Sequence, residues 1–253
     1  MKRWASLVLS ALLLFSLAAC GDGDTSSTPP AESNENNTSQ TPSGTNRPDQ
    51  SEPVSSQEPA GQEETESSHI LIAYFTWADN TVVEDPSSVD VDATTSASVL
   101  APGNAAKLAA WIQEVVGGDL HSIVVEEPYS SDYDECLDRA AEEKANNARP
   151  ALTTHVEKEN MADYDIVFLG FPNWWYTLPM PVLTFVEEYD WSGKTVVPFV
   201  THGTGGLSST IRDLTAALPE DTTILEPIGV YRPEVDTSQG AVQDWLAGLD
   251  LEF

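Results

Sequence analysis

Three stretches of the 253-residue chain combine residue types suited to holding a flat, charged ligand. The first, Phe171-Pro172-Asn173-Trp174-Trp175-Tyr176-Thr177, sets three aromatics in a row. Consecutive exposed aromatics in a loop are unfavourable to solvate unless they face a flat partner. The second, Thr76-Trp77-Ala78-Asp79-Asn80-Thr81, mixes small hydroxyl and amide residues. Between a buried strand and a helix, such residues turn N–H and side-chain donors onto a phosphate. The third, Thr201-His202-Gly203-Thr204-Gly205-Gly206, has three glycines in four positions, which lets the backbone come close to a ligand.

Other reactive groups are less promising. Cys20 and Cys136 allow at most one bridge, and neither has the neighbours of a zinc site. Cys136 lies in Asp134-Glu135-Cys136-Leu137-Asp138, whose acids disfavour a thiolate. His202 reads as a hydrogen-bonding loop residue. Glu126-Glu127 and Glu142-Glu143 read as solvated faces. No Ser–His–Asp order or Walker-type loop is present, and no side chain is assigned as a catalyst or metal ligand.

Each of the three loops follows an apolar run. His69–Phe75, Asp165–Gly170 and Thr195–Val200 are short strands of the kind covered on both faces. Leu120–Val125 and Thr223–Val230 read as two further strands. Helical spacing appears in Ala105, Leu108, Ile112, Val115 and Val116, ended by Gly117-Gly118. More helices are expected at about 133–147, at 181–189, along Leu207, Ile211, Leu214 and Leu218, and along Val242, Trp245, Leu246 and Leu249. Such alternation implies a parallel sheet with helices on both faces, and a ligand beyond the carboxyl ends of the strands.

Composition divides the chain before that fold begins. Lys2 and Arg3 precede the apolar run Leu7–Leu17, which is too short to span a bilayer comfortably. The run ends Leu17-Ala18-Ala19-Cys20-Gly21 and looks like a bacterial lipobox, so residues 1–20 read as a lipoprotein signal peptide with Cys20 lipidated. Residues 21–68 hold Ala31, Val54 and Ala60 as their aliphatic side chains and no aromatic, with ten acids and one base, Arg47. Such a Ser/Thr/Pro-rich segment stays disordered, a tether reaching roughly 40 Å. Residues 69–253 form a single domain. With 41 Asp and Glu against 11 Lys and Arg, the chain has a formal charge of −30, which excludes a phosphate-neutralising face for nucleic acid.

On Ile70–Thr81, Leu169–Pro179 and Phe199–Gly206, the domain resembles the flavodoxin family, including its bacterial lipoproteins and FMN-binding reductases. The resemblance implies an α/β fold of three α-β-α layers around a five-stranded parallel sheet of order 2-1-3-4-5. It implies FMN as cofactor, with Thr76, Trp77, Ala78, Asp79 and Asn80 in the phosphate loop. Pro172, Asn173, Trp174, Trp175 and Tyr176 would form one ring-flanking loop, and Thr201, His202, Gly203, Gly205 and Gly206 the other, at the N1–O2 edge. Two departures stand out. Asp79 occupies a position where the family usually has glycine, and about twenty polar residues, Val82–Leu100, precede the first helix. Gly103 and Asn104, at that helix's start, are therefore expected to complete the phosphate site. Because consecutive residues of an extended loop point to opposite sides, one of Trp174 and Trp175 should stack on the ring.

Together with the lipobox at Cys20, the resemblance implies an extracytoplasmic electron-transfer protein, lipid-anchored at the outer face of the cytoplasmic membrane. Its partner would be a redox protein with a basic face or a small quinone-like substrate. An NAD(P)H- or quinone-linked FMN reductase is the alternative, and a flavin-free binding lipoprotein of the same fold is a third reading.

Overall fold

The computed structural model describes residues 69–95 and 98–251, so the expected signal peptide, Cys20 and the expected tether lie outside the described residues. The chain runs β1 (Ile70–Tyr74), α1 (Val91–Thr95), α2 (Asn104–Val116), β2 (Asp119–Ser122), α3 (Tyr133–Ala145), α4 (Lys158–Asp163) and β3 (Ile166–Pro172). It continues through α5 (Met180–Glu188), β4 (Thr195–His202), α6 (Thr210–Ala217), β5 (Thr223–Ile224), β6 (Ile228–Tyr231) and α7 (Gln239–Ala247). The strand order is β2-β1-β3-β4-β5, with β6 also on β4, and every pairing is parallel.

Alternation along the central strands makes the layers. Leu71, Ala73, Val167, Leu169, Phe171, Val196 and Val200 face one way, onto Val182 and Phe185 of α5 and Leu214 of α6. Ile70, Ile72, Ile166, Phe168, Val197 and Phe199 face the other, onto Leu108 and Ile112 of α2 and Val242 and Leu246 of α7. Each fully buried aliphatic side chain of this kind contributes about 1.5–3 kcal/mol. Gly170 leaves room for a neighbour: a Cβ there would stand 2.0 Å from the Phe199 ring.

The sequence leads one to expect a single last strand over 223–230, but two pieces share that edge. Register along β4 shifts between them: Thr195 aligns with Thr223, whereas Phe199 aligns with Ile228, one residue further on. Prolines explain the break. Leu225 N–H donates to the Val196 carbonyl at 3.0 Å, so by alternation the next outward-facing residue of β4 is Pro198, which has no N–H to offer. Pro227 lies in the gap itself.

The second strand also differs, ending at Ser122 rather than Val125. Side chains take over the ladder there: Val124 N–H donates to Thr154 Oγ1 at 2.9 Å and Val125 N–H to Asn80 Oδ1 at 2.8 Å. α3 stops at Ala145, two residues before left-handed Asn147. The polar stretch 82–100 is no plain loop, since it carries α1 and buries Ala93 and Val99 in the core.

Candidate functional site

Strand order reverses between β1 and β3, and the loops leaving those strands diverge there. An inner cavity of about 40 Å³ lies at this point, lined by Thr76, Ser98, Asn104, Pro172, Asn173, Trp174, Thr201, His202, Gly203 and Arg232, among others. An outer cleft of about 240 Å³ adjoins it, walled by Tyr133, Leu137, Trp175, Tyr176, Thr204 and Gly205. Asn173, Trp174, Gly203 and Arg232 line both.

Thr76 sits at the inner end. Its Oγ1 accepts the Asp79 N–H at 3.0 Å, which leaves the hydroxyl proton to donate elsewhere. Gly103 packs against it closely, since a Cβ there would lie 2.7 Å from the Thr76 Cβ. Gly103 caps α2 with no side-chain hydrogen bond, so the helix's first N–H groups open beside Thr76 and Asn104. A hydroxyl, an amide and a 13-residue helix's N-terminus converge at this end of the cavity.

The rest of the first loop turns inward. Asn80 is 1% exposed and is a structural clamp. Its Nδ2 donates to the Thr76 and Ile123 carbonyls at 2.7 and 3.0 Å, while Oδ1 holds Val125 N–H. Trp77 reaches the first cavity's wall but is buried, with Nε1 donating to Ser130 O at 3.1 Å. The Asp79 carboxylate accepts from Ser122 Oγ at 2.6 Å, on β2, and lines neither cavity. Ala78 and Asn80 line neither cavity either, so of the first loop's Thr76–Asn80 only Thr76 and Trp77 reach a cavity wall.

The second loop is a tight hairpin turn rather than the extended loop the sequence suggests. Trp174 N–H donates to Thr177 O and Thr177 N–H to Trp174 O, with Trp175 and Tyr176 at φ 50° and 68° between them. Trp174 packs edge-on against Phe75 and Tyr129, at ring separations of 5.4 and 5.3 Å, and still lines both cavities. Trp175 leans outward onto α3, where its Nε1 donates to Leu137 O at 3.0 Å. Beneath Trp174, Tyr129 donates to Glu143 Oε2 at 2.6 Å, with the Arg139 guanidinium 4.0 Å over its ring. Burial, then the Glu143 carboxylate, push that phenol far above its ordinary pKa.

The third loop joins the second. Asn173 N–H donates to Thr201 O at 2.8 Å and its Nδ2 to Gly206 O at 2.6 Å. His202 Nδ1–H donates to the Gly203 carbonyl at 2.7 Å, which fixes its tautomer. Gly205 lies beneath the Tyr176 ring, and Gly206, at φ 58°, lines neither cavity. Cys136 is buried in α3, its thiol pushed up to about 12 chiefly by burial, in keeping with an unreactive residue.

Sequence reasoning missed Arg232, Ser98 and Tyr133. A signal for Arg232 existed: it is the only Lys or Arg after Arg212, and it directly follows the last apolar run, at the carboxyl end of β6. Wider hollows of about 390 and 460 Å³ elsewhere are lined mainly by charged and polar side chains around Glu126, Arg149 and Glu187.

The chain matches the flavodoxin family over residues 93–246. A candidate flavoprotein from Bacteroides eggerthii is 30% identical, with a TM-score of 0.55, over 73% of this chain and 99% of its own. A second, from Bacteroides uniformis, is 24% identical at a TM-score of 0.51, over 72% and 99%. A flavoprotein from Lactobacillus acidophilus, solved in complex with FMN, is 18% identical at 0.44, over 67% and 97%. No curated protein matches the chain.

Proposed function

Because the chain belongs to the flavodoxin family, we propose that it binds FMN at the carboxyl ends of β1, β3 and β4 and transfers electrons. One observation carries this reading: Thr76, Asn104 and Trp174 line a single cavity that opens into an aromatic cleft. The Thr76 hydroxyl and the N-terminal N–H groups of α2 would hold the phosphate, while the Asp79 carboxylate is turned to Ser122 on β2 rather than into the cavity. Trp174 would supply the aromatic wall, and Asn173 and Gly203 the polar backbone beside it.

FMN supplies the redox chemistry, while the chain binds, orients and shields it. Purified protein should therefore show flavin absorption near about 370 and 450 nm, or acquire it on titration with FMN. A protein that stays colourless and binds no FMN would leave the flavin-free reading standing.

The outer cleft favours a second possibility worth separating from simple electron carriage. It has room beside Trp175 and Tyr176, 42% and 64% exposed, for a planar second substrate such as a quinone. Steady-state turnover with NAD(P)H and a quinone would identify a reductase; its absence would leave a carrier.

This reading places the domain outside the cytoplasmic membrane, held by lipid on Cys20. The domain's 31 acids against eight bases favour a redox partner with a basic face. Cys20→Ser should release the processed protein from membranes; retention would require another anchor.

A further inference from the structure

Arg232 lies half-buried just past β6, where it opens a 3-10 turn over Arg232–Thr237. Among the described Lys and Arg side chains, Arg232 alone has no hydrogen-bond or ion-pair partner. Lys107 holds Asp236, Arg139 holds Glu143, Lys144 holds Trp175 O, Arg149 holds Glu187, Lys194 holds Tyr164 O and Arg212 holds Asp213. In a domain with 31 acids, a guanidinium without a carboxylate is unexpected unless something else needs it.

Its position says what that is. A Cβ on Gly203 would stand 3.3 Å from the Arg232 Cζ and Nη2, so the guanidinium lies against that backbone. Arg232 also lines both cavities, whereas Thr76, Ser98 and Asn104 line only the inner one. It therefore belongs to the junction beside Trp174, not to the phosphate end. A guanidinium only donates hydrogen bonds. On an isoalloxazine the acceptors cluster at the pyrimidine end, and the dimethylbenzene end has none.

We propose that Arg232 orients the pyrimidine end of the bound flavin ring toward Gly203 and favours the reduced cofactor. The inference rests on FMN binding as proposed above. Two electrons and one proton from a reductant add one hydrogen at N5 and leave one negative charge shared by N1 and O2. The oxidised ring carries no such charge. A fixed cation at that edge therefore binds the reduced form more tightly than the oxidised form, against the field of the surrounding acids. Charge-assisted bonds to a planar fork also explain why arginine, and not lysine, stands there.

The test compares the wild-type protein with Arg232→Gln and Arg232→Lys. FMN and riboflavin affinities are measured by titration, and the midpoint potential by dithionite reduction against a reference dye. Since Arg232 makes no protein hydrogen bond, neither variant loses one from the fold. Arg232→Gln should weaken binding of reduced FMN at least about tenfold more than binding of oxidised FMN, lowering the two-electron potential by about 30 mV or more. Arg232→Lys should fall between. Unchanged potentials in a protein that binds FMN would overturn the role, as would equal losses for both oxidation states. A loss for FMN that riboflavin does not share would assign Arg232 to the phosphate instead. Wild-type protein that binds no flavin would overturn the FMN reading and this inference together.

Discussion

The backbones of Trp174 and Thr177 exchange two hydrogen bonds of 3.0 Å each, closing a turn whose central residues, Trp175 and Tyr176, both have positive φ. Turns of this class normally carry Asn-Gly, because a left-handed residue with a Cβ costs roughly 1–2 kcal/mol. The surroundings hold these two aromatics in place. Lys144 Nζ donates to Trp175 O at 2.5 Å, Ser209 N–H to Tyr176 O at 3.1 Å, and Thr177 Oγ1 to Asp213 at 2.7 Å. Strain that neighbouring elements maintain in this way gathers at binding sites.

The two tryptophans should therefore separate experimentally. Trp174→Ala should weaken FMN binding by about 2–4 kcal/mol, roughly 30- to 1,000-fold, because Trp174 lines both cavities. Trp175→Ala should change affinity far less, since its indole is committed to Leu137 on α3. Flavin-fluorescence titration of both variants distinguishes them. Equal affinities would remove Trp174 from the ring site.

Tyr176 is 64% exposed at φ 68°, so it has more strain to relieve than contact to lose. Tyr176→Gly should leave stability unchanged or raise it by up to about 1 kcal/mol. Urea denaturation measures this. A clear loss would mean that Tyr176 contributes more by covering Gly205 than its backbone conformation costs.

Asn80→Ala should act through folding. It strips the partner from Val125 N–H and from the Thr76 and Ile123 carbonyls, all close to the core, and should cost about 2–4 kcal/mol. Variant protein that remains folded should bind FMN within a few fold of wild type. A large affinity loss with unchanged stability would return Asn80 to the ligand site.

Stability should also depend on His121. Its Nε2 is buried without a hydrogen-bond partner, and its ring stacks on Phe185 at 5.5 Å. Burial, then the charge of His155, hold it below the ordinary histidine value, although Glu188 opposes this. The unfolded chain therefore takes up a proton that the folded one resists. Stability should decline as pH falls through about 6.5, levelling off below the folded value. His121→Leu should flatten that decline in denaturation midpoints measured from pH 8 to 5; an unchanged slope would place the titration elsewhere.

β1, β3 and β4 were legible because burial on both faces leaves unbroken apolar runs, and their order follows from the family resemblance. The divided last strand was not, because its break depends on Pro198, a residue on a different strand whose missing N–H matters only once the two are paired. Of the residues picked out by loop position, Thr76, Trp174 and Gly203 do line the inner cavity. Loop position could not reveal direction: Asn80 has the chemistry of a ligand donor and turns inward, where it holds Val125. Arg232 was overlooked because only the loops after the fully apolar runs were weighed, and β6 is half-exposed.

The break between β5 and β6 bears on how copies of this protein coexist. An unpaired sheet edge is a template on which another chain can add a strand, the first step toward aggregation. Here that edge is cut into pieces of two and four residues with Pro227 between them, while the opposite edge is the four-residue β2 with Asp119 and Leu120 exposed. Neither offers the long continuous row of N–H and C=O groups that strand addition favours, so the sheet gives a neighbouring copy little on which to build.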